Sequence, residues 1–385
     1  MASKELQPSR EENGMTIAHL GGYVRRVDEN SYVVRSQSGN GEYQVISGEL
    51  GWLCSCPDFM YRVSRNLGEK CKHIYAVHFS KEFRKTVAQQ VTIKEIHDTV
   101  SCIRCGADKS QVVKDSIRKN KNHSIQRYKC KSCGKRFSYN IGFESMRASP
   151  QMITTAMQLY FTGESTRNVQ KFLQLQGVNL SHMAVYRWIG RYVKLMDEYL
   201  SKMQPSVSGI WRTDELYLKM KGNPKYLYAM MDDDTRFWLA SQVSPYKNTE
   251  DVRPLFKQAR ETAGKKPDML ISDGARNFSE AYQKEYWSRI EPRTSHIRHI
   301  HLKNDHNNNK MERLNGELRD REKVMRSLKR IDSPIIKGMQ HNHNFMRGHM
   351  GLGGRTPAEV AGIKVEGQNK WLTVIQNAAK ERYKN

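Results

Sequence analysis

Residues 209–244 read GIWRTDELYLKMKGNPKYLYAMMDDDTRFWLASQVS, three apolar and aromatic runs separated by the turn signals Asn223-Pro224 and Asp232-Asp233-Asp234. Runs of this length, bounded by turn residues, predict three consecutive strands of an antiparallel meander. Downstream the period changes. TEDVRPLFKQARETAG (249–264) spaces its apolar residues as a helix does, and DMLISDG (268–274) is a short buried strand closed by a glycine turn. ARNFSEAYQKEYW (275–287) returns to helical spacing, and TSHIRHIHL (294–302) alternates as a strand does. NNNKMERLNGELRDREK (307–323) lies inside a long helix expected from about 305 to 329.

Three strands, helix, strand, helix, strand, helix is the element order of the RNase H-like fold, in which the first and fourth strands are neighbours. Asp214 lies within the first strand and Asp273 ends the fourth. Both side chains are therefore expected at one edge of a mixed five-stranded sheet. Carboxylates held that close repel, and binding hard divalent cations such as Mg2+ is a common reason to tolerate it. On the long helix, at about 100° per residue, Glu312 shares a polar face with Asn308, Asn315, Arg319 and Lys323, while Glu317 lies about 140° away. Glu317 sits beside the apolar stripe Met311, Leu314, Leu318, Met325 and Leu328. Periodicity alone does not choose between Glu312 and Glu317. Asp232, Asp233 and Asp234 read as turn residues.

The chain upstream is of a different kind. The sequence carries 64 Lys and Arg against 40 Asp and Glu, a formal charge of +24, which predicts a polyanionic partner, with nucleic acid first. No run of 18 apolar residues occurs and no apolar segment follows the N-terminal charges, so neither a membrane span nor a secretory signal is expected. The seven cysteines suit metal better than disulfides. Cys102 and Cys105, then Cys130 and Cys133 after 24 residues, are two C-x2-C knuckles able to complete a four-thiolate zinc site, as in a zinc ribbon. Cys54 and Cys56, fourteen residues, then Cys71 and His73 resemble a SWIM-type zinc finger. Four protein ligands leave no open position, so both zinc sites are expected to be structural. Residues 101–150 hold twelve Lys or Arg, Lys119 and Lys121 among them, against three acids. Such a basic knob suits phosphate contact rather than sequence choice. Ser149-Pro150, Ser165 and Ser181 each open a helix, and glycines 163 and 177 stop the first two. The third carries Arg187, Arg191 and Lys194, and the three read as a helix-turn-helix module whose last helix enters a major groove.

WRTDELYLK, KYLYAMMDDDTRFWLA, ISDGARNF, NNNKMERLNGELRDR and the closing GGRTPAEVAGI together resemble a DDE transposase of prokaryotic insertion sequences, in the retroviral-integrase superfamily. The resemblance covers about 204–363. It implies a catalytic triad of Asp214, Asp273 and Glu312 with two Mg2+ or Mn2+ ions per active site, and a basic residue seven positions on at Arg319. It also implies hydrolysis at transposon ends, attack of the freed 3′-hydroxyl on target DNA, at least a homodimer on double-stranded DNA, and a cytoplasmic, nucleoid-associated protein. The expected division is a SWIM-type module over 1–85, a ribbon over 86–145, helix-turn-helix over 146–203, the catalytic domain over 204–350 and a helical tail over 351–385. Glu317, Asp320 and Glu322 are expected to be replaceable. Two rivals remain: a catalytically inactive DNA-binding regulator of the same descent, and a tyrosine nuclease using the triplet His299-Ile300-His301.

Overall fold

The computed structural model describes residues 9–19, 23–27, 30–37, 41–48, 51–63, 69–85, 91–96, 100–119, 124–138, 140–144, 146–220, 222–290, 293–298, 309–324, 328 and 330–382. Lys121, Asn308, Met325 and the triplet His299-Ile300-His301 lie outside them. Among the described residues no helix is long and apolar enough to cross a membrane.

Three helices precede the central sheet: α1 (Pro150–Thr162), α2 (Thr166–Leu175) and α3 (His182–Leu200). The hydroxyls of Ser149, Ser165 and Ser181 accept from the backbone N–H of Met152, Asn168 and Ala184, so each expected N-cap is made. The sheet strands are β1 (Ile210–Met220), β2 (Asn223–Asp232), β3 (Trp238–Ser244), β4 (Met269–Ser272) and β5 (Ser295–Arg298). Their spatial order is β3-β2-β1-β4-β5, antiparallel among the first three and parallel from β1 through β4 to β5. That mixed order is the RNase H-like one. The first hairpin turns at Gly222 rather than at Asn223-Pro224: Gly222 has φ +83°, which glycine adopts without strain, and Asn223 and Pro224 already pair with Met220 and Lys219.

Successive side chains of β1 point to opposite faces. Trp211 packs against Tyr286 on the face covered by α4 (Thr249–Ala263) and α5 (Arg276–Glu285), where Phe278 meets Tyr228 edge-on. Arg212 and Asp214 point to the other face, crossed by α6 (Asn309–Val324), which buries Met311, Leu314 and Leu318. Beyond it come α7 (Pro334–His341), a π-helical turn over 342–346, and α8 (Lys370–Arg382).

The C-terminal residues are more than a tail. Trp371 of α8 stacks on Phe161 and donates to Gln158, and residues 363–365 form a parallel strand pair with 91–93. N-terminally, a four-stranded antiparallel sheet (24–26, 31–35, 42–48, 51–54) packs with the helices 10–19 and 72–85. A three-stranded sheet follows over 112–119, 124–130 and 136–138.

Candidate active site and metal centres

In the parallel pairing of β1 with β4, Ile271 lies opposite Arg212. Two residues further on each chain, Asp273 comes level with Asp214. Asp214 is part-buried; its Oδ1 accepts from the Glu215 N–H at 2.9 Å and its Oδ2 from the Asn315 side-chain amide at 2.8 Å. Burial pushes the Asp214 carboxyl up to about 6; the Glu215 N–H pulls against this, and the charge of Asp273 adds to it. Asp273 is exposed and its Oδ1 accepts from the Ala275 N–H at 3.0 Å, which closes the turn into α5 through Gly274 at φ +87°.

Three contacts set α6 along β1. At its start, Lys310 Nζ reaches Asp233 at 2.8 Å, and Asp233 also pairs with Arg212. These two cations hold the Asp233 carboxyl below its ordinary range despite burial that would raise it. In the middle Asn315 holds Asp214, and near the end Glu322 accepts from the Lys219 N–H at 2.5 Å. Glu312, exposed and one turn before Asn315, falls between the first two anchors. Asp214, Asp273 and Glu312 do not draw together as tightly as the cysteine clusters below, whose ligand atoms lie within 4.8 Å of one another. Behind Asp214, on the opposite face, Glu215 pairs with Lys247.

The acids of the β2–β3 turn and of α6 have partners that the sequence did not show. Asp232 and Asp233 do sit at the β2–β3 turn, yet both are buried: Asp232 accepts from the Ser208 hydroxyl at 2.6 Å and from Thr235. Glu317 is no spare surface charge, because Arg347 meets it at 2.7 Å and ties α6 to the π-helical turn. Asp320, by contrast, is exposed, and its one ion pair among the described residues is with nearby Lys323 at 3.1 Å.

The expected DNA-contacting side chains are exposed: Arg187, Arg191 and Lys194 on α3, Arg319 and Lys323 on α6, and Lys119 on the three-stranded module. Arg187 and Lys119 line one cleft of about 1020 Å³. Lys323 lines another, of about 690 Å³, with residues of α2 and α3.

The ligand atoms of Cys54, Cys56, Cys71 and His73 converge within 4.8 Å of one another, as do those of Cys102, Cys105, Cys130 and Cys133. A tetrahedral zinc with Zn–S of about 2.3 Å has S···S edges of about 3.8 Å. The Cys102–Cys133 and Cys105–Cys130 separations are 3.5 and 3.6 Å, so the donor set fits that ion. The Cys133 backbone N–H pulls the Cys130 thiol down to about 6, favouring the thiolate a metal needs.

Residues 208–349 match a family model described as a DDE domain. The transposase for insertion sequence-like element IS431mec of Staphylococcus aureus is 30% identical over 146 residues, which cover 37% of this chain and 63% of that protein. The insertion element ISM1 uncharacterized 48.3 kDa protein of Methanobrevibacter smithii is 28% identical over 150 residues, covering 35% of this chain and 36% of its own. The chain thus spans less than two thirds of the length of these curated relatives. The catalytic core domain of HTLV-2 integrase, solved with magnesium, aligns over 41% of this chain and 97% of its own at 16% identity and a TM-score of 0.30. The sheet order is that of an RNase H-like domain, with Asp214 and Asp273 level with each other at one edge of β1 and β4. Residues 208–349 are thus similar to a DDE domain and to the matched stretch of insertion-sequence transposases.

Proposed function

We propose that this protein is the transposase of an insertion sequence: it binds the element's ends, hydrolyses a phosphodiester there and joins the freed 3′-hydroxyl to target DNA. The observation that carries this is Asp214 on β1 level with Asp273 just past the end of the adjacent parallel strand β4, with the helix of Glu312 bonded to Asp214 through Asn315. Asp214, Asp273 and Glu312 would hold two divalent ions, Mg2+ or Mn2+. When bound, these supply Lewis acidity that activates the attacking oxygen and offsets charge on the leaving one. The chain's own part is positioning. Asn315 directs one Asp214 oxygen, the Glu215 N–H the other, and the Lys310–Asp233–Arg212 network fixes where α6 starts. Arg319, on the face of Glu312, offers a donor to DNA phosphate.

The two cysteine clusters act as structural zinc sites, of SWIM type near the N-terminus and of ribbon type after it, and α1–α3 serve as the helix-turn-helix. Two ends must meet for joining, so the working unit is a dimer or larger, acting at the nucleoid in the cytoplasm. The test is incubation with Mg2+ and duplexes carrying the flanking element ends. Wild type should give nicked ends and joined products, and Asp273→Asn should bind without cutting. Absence of metal-dependent cutting by wild type would favour the inactive regulator, and a covalent protein–DNA adduct would favour a tyrosine nuclease.

A further inference from the structure

We propose that the two strands of a bound DNA duplex are gripped separately, in two basic clefts on either side of α3; this rests on reading α1–α3 as a DNA-binding module. Met183, Arg187, Arg191 and Lys194 form an exposed stripe along α3. On one flank Ala184, Arg187 and Trp188 line the cleft of about 1020 Å³, whose far wall includes Arg118, Lys119 and Arg136 of the three-stranded module, with Arg147 beside them. On the other flank His182, Met183 and Tyr186 line the cleft of about 690 Å³, whose far wall is Arg167 and Lys171 of α2 and Lys323 of α6. At about 100° per residue the exposed stripe falls between these two flanks.

The charge is one-sided. Among the described residues Glu144 is the one acid lining the first cleft, its Oε1 accepting from the Gly142 N–H at 2.8 Å, and no acid lines the second. Arg136 and Lys323 have carboxylate partners in Asp115 and Asp320, whereas Arg118, Lys119, Arg147, Arg167 and Lys171 make no ion pair among the described residues. A helix in the major groove of B-DNA, about 12 Å wide, has a phosphate backbone on each side. Two basic walls flanking one exposed helical stripe match that arrangement, and one basic face would not. Lys323 also lies on the helix of Glu312, eleven residues or about 16 Å further along. The strand in the second cleft is therefore the one leading to the carboxylates.

The experiment uses the full chain on an end duplex labelled on either strand, with phosphate-ethylation interference and affinity measured across a salt series. The variants are Arg118→Ala/Lys119→Ala and Arg167→Ala/Lys171→Ala, exposed positions whose zinc content and circular dichroism should match wild type. Each pair should weaken end and unrelated duplex alike and lower the slope of log K against log salt by about 1.8, that is about 0.9 per lost phosphate contact. Each should also erase interference on one strand only, and on opposite strands for the two pairs. Loss on the same strand for both, or an unchanged slope for either, would overturn the proposal. Arg191→Ala tests the underlying reading separately. Unchanged discrimination between end and unrelated duplex in that variant would remove α3 from the groove, and the two-cleft proposal with it, whatever the slopes show.

Discussion

Asn315→Ala is the perturbation that most sharply probes how the active site is held. Asn315 is 6% exposed and its amide donates to Asp214 at 2.8 Å. A hydrogen bond to a charged group is worth about 1.5–3 kcal/mol, and alanine returns about 0.6 kcal/mol through its better helix propensity. The net loss is about 1–2.5 kcal/mol, which for a domain of this size lowers Tm by about 2–10 °C. The catalytic effect should be larger than the stability effect, because the same bond sets α6, and Glu312 with it, against β1. A misplacement of about 1 Å costs about 100-fold in rate. Melting curves with single-turnover cleavage of an end duplex at fixed Mg2+ measure both, with end affinity as the control. Asn315→Ala should bind ends as wild type does while cutting about 100-fold more slowly. Cutting within twofold of wild type would refute the claim that this bond positions the site.

Asp214→Asn should stabilise the zinc-loaded protein without added Mg2+ at pH 8 and leave it unchanged near pH 4. The folded carboxyl titrates near 6 rather than 3.8, so the penalty on its ionised form grows as pH rises through that window, to at most about 3 kcal/mol; equal Tm values for mutant and wild type at pH 8 would contradict this. Asp233→Ala leaves the buried Arg212 guanidinium and Lys310 without their carboxylate and should cost about 3–5 kcal/mol in urea unfolding, whereas a cost under about 1 kcal/mol would mean the network is dispensable. Elemental analysis should find close to two zinc per chain. Zinc removal should unfold the module around Cys102–Cys133, whose buried apolar set among the described residues is Val100, Cys102, Val112, Cys130 and Phe137; a chelated protein with unchanged amide exchange there would refute a structural metal.

What was legible in the sequence was what the chain encodes locally. Ser149, Ser165 and Ser181 announce three helices because a hydroxyl cap is satisfied within its own first turn, and the alternating runs of 210–244 announce the meander because their period matches the pleat. Asp214 and Asp273 could be placed at one sheet edge once strand order was known. What stayed hidden depends on remote partners. Asp232 and Asp233 look like wet turn residues until Ser208, Arg212 and Lys310 are seen to close over them. Glu317 looks idle until Arg347 arrives from a different element. The pairing of 91–93 with 363–365 joins segments about 270 residues apart, which no periodicity reports. Asn315 was visible as one polar residue on the face of Glu312, but its bond to Asp214 required the two elements to be docked.

Among the acids of α6, Glu312 is the one whose role the central claim most needs, and paired substitutions on that helix test it directly. Glu312→Gln and Glu317→Gln should both bind end duplexes, and with Mg2+ only Glu317→Gln should release the 3′-hydroxyl product. Full cleavage by Glu312→Gln, or its loss in a folded Glu317→Gln alone, would contradict the assignment of Asp214, Asp273 and Glu312 as the metal-binding triad.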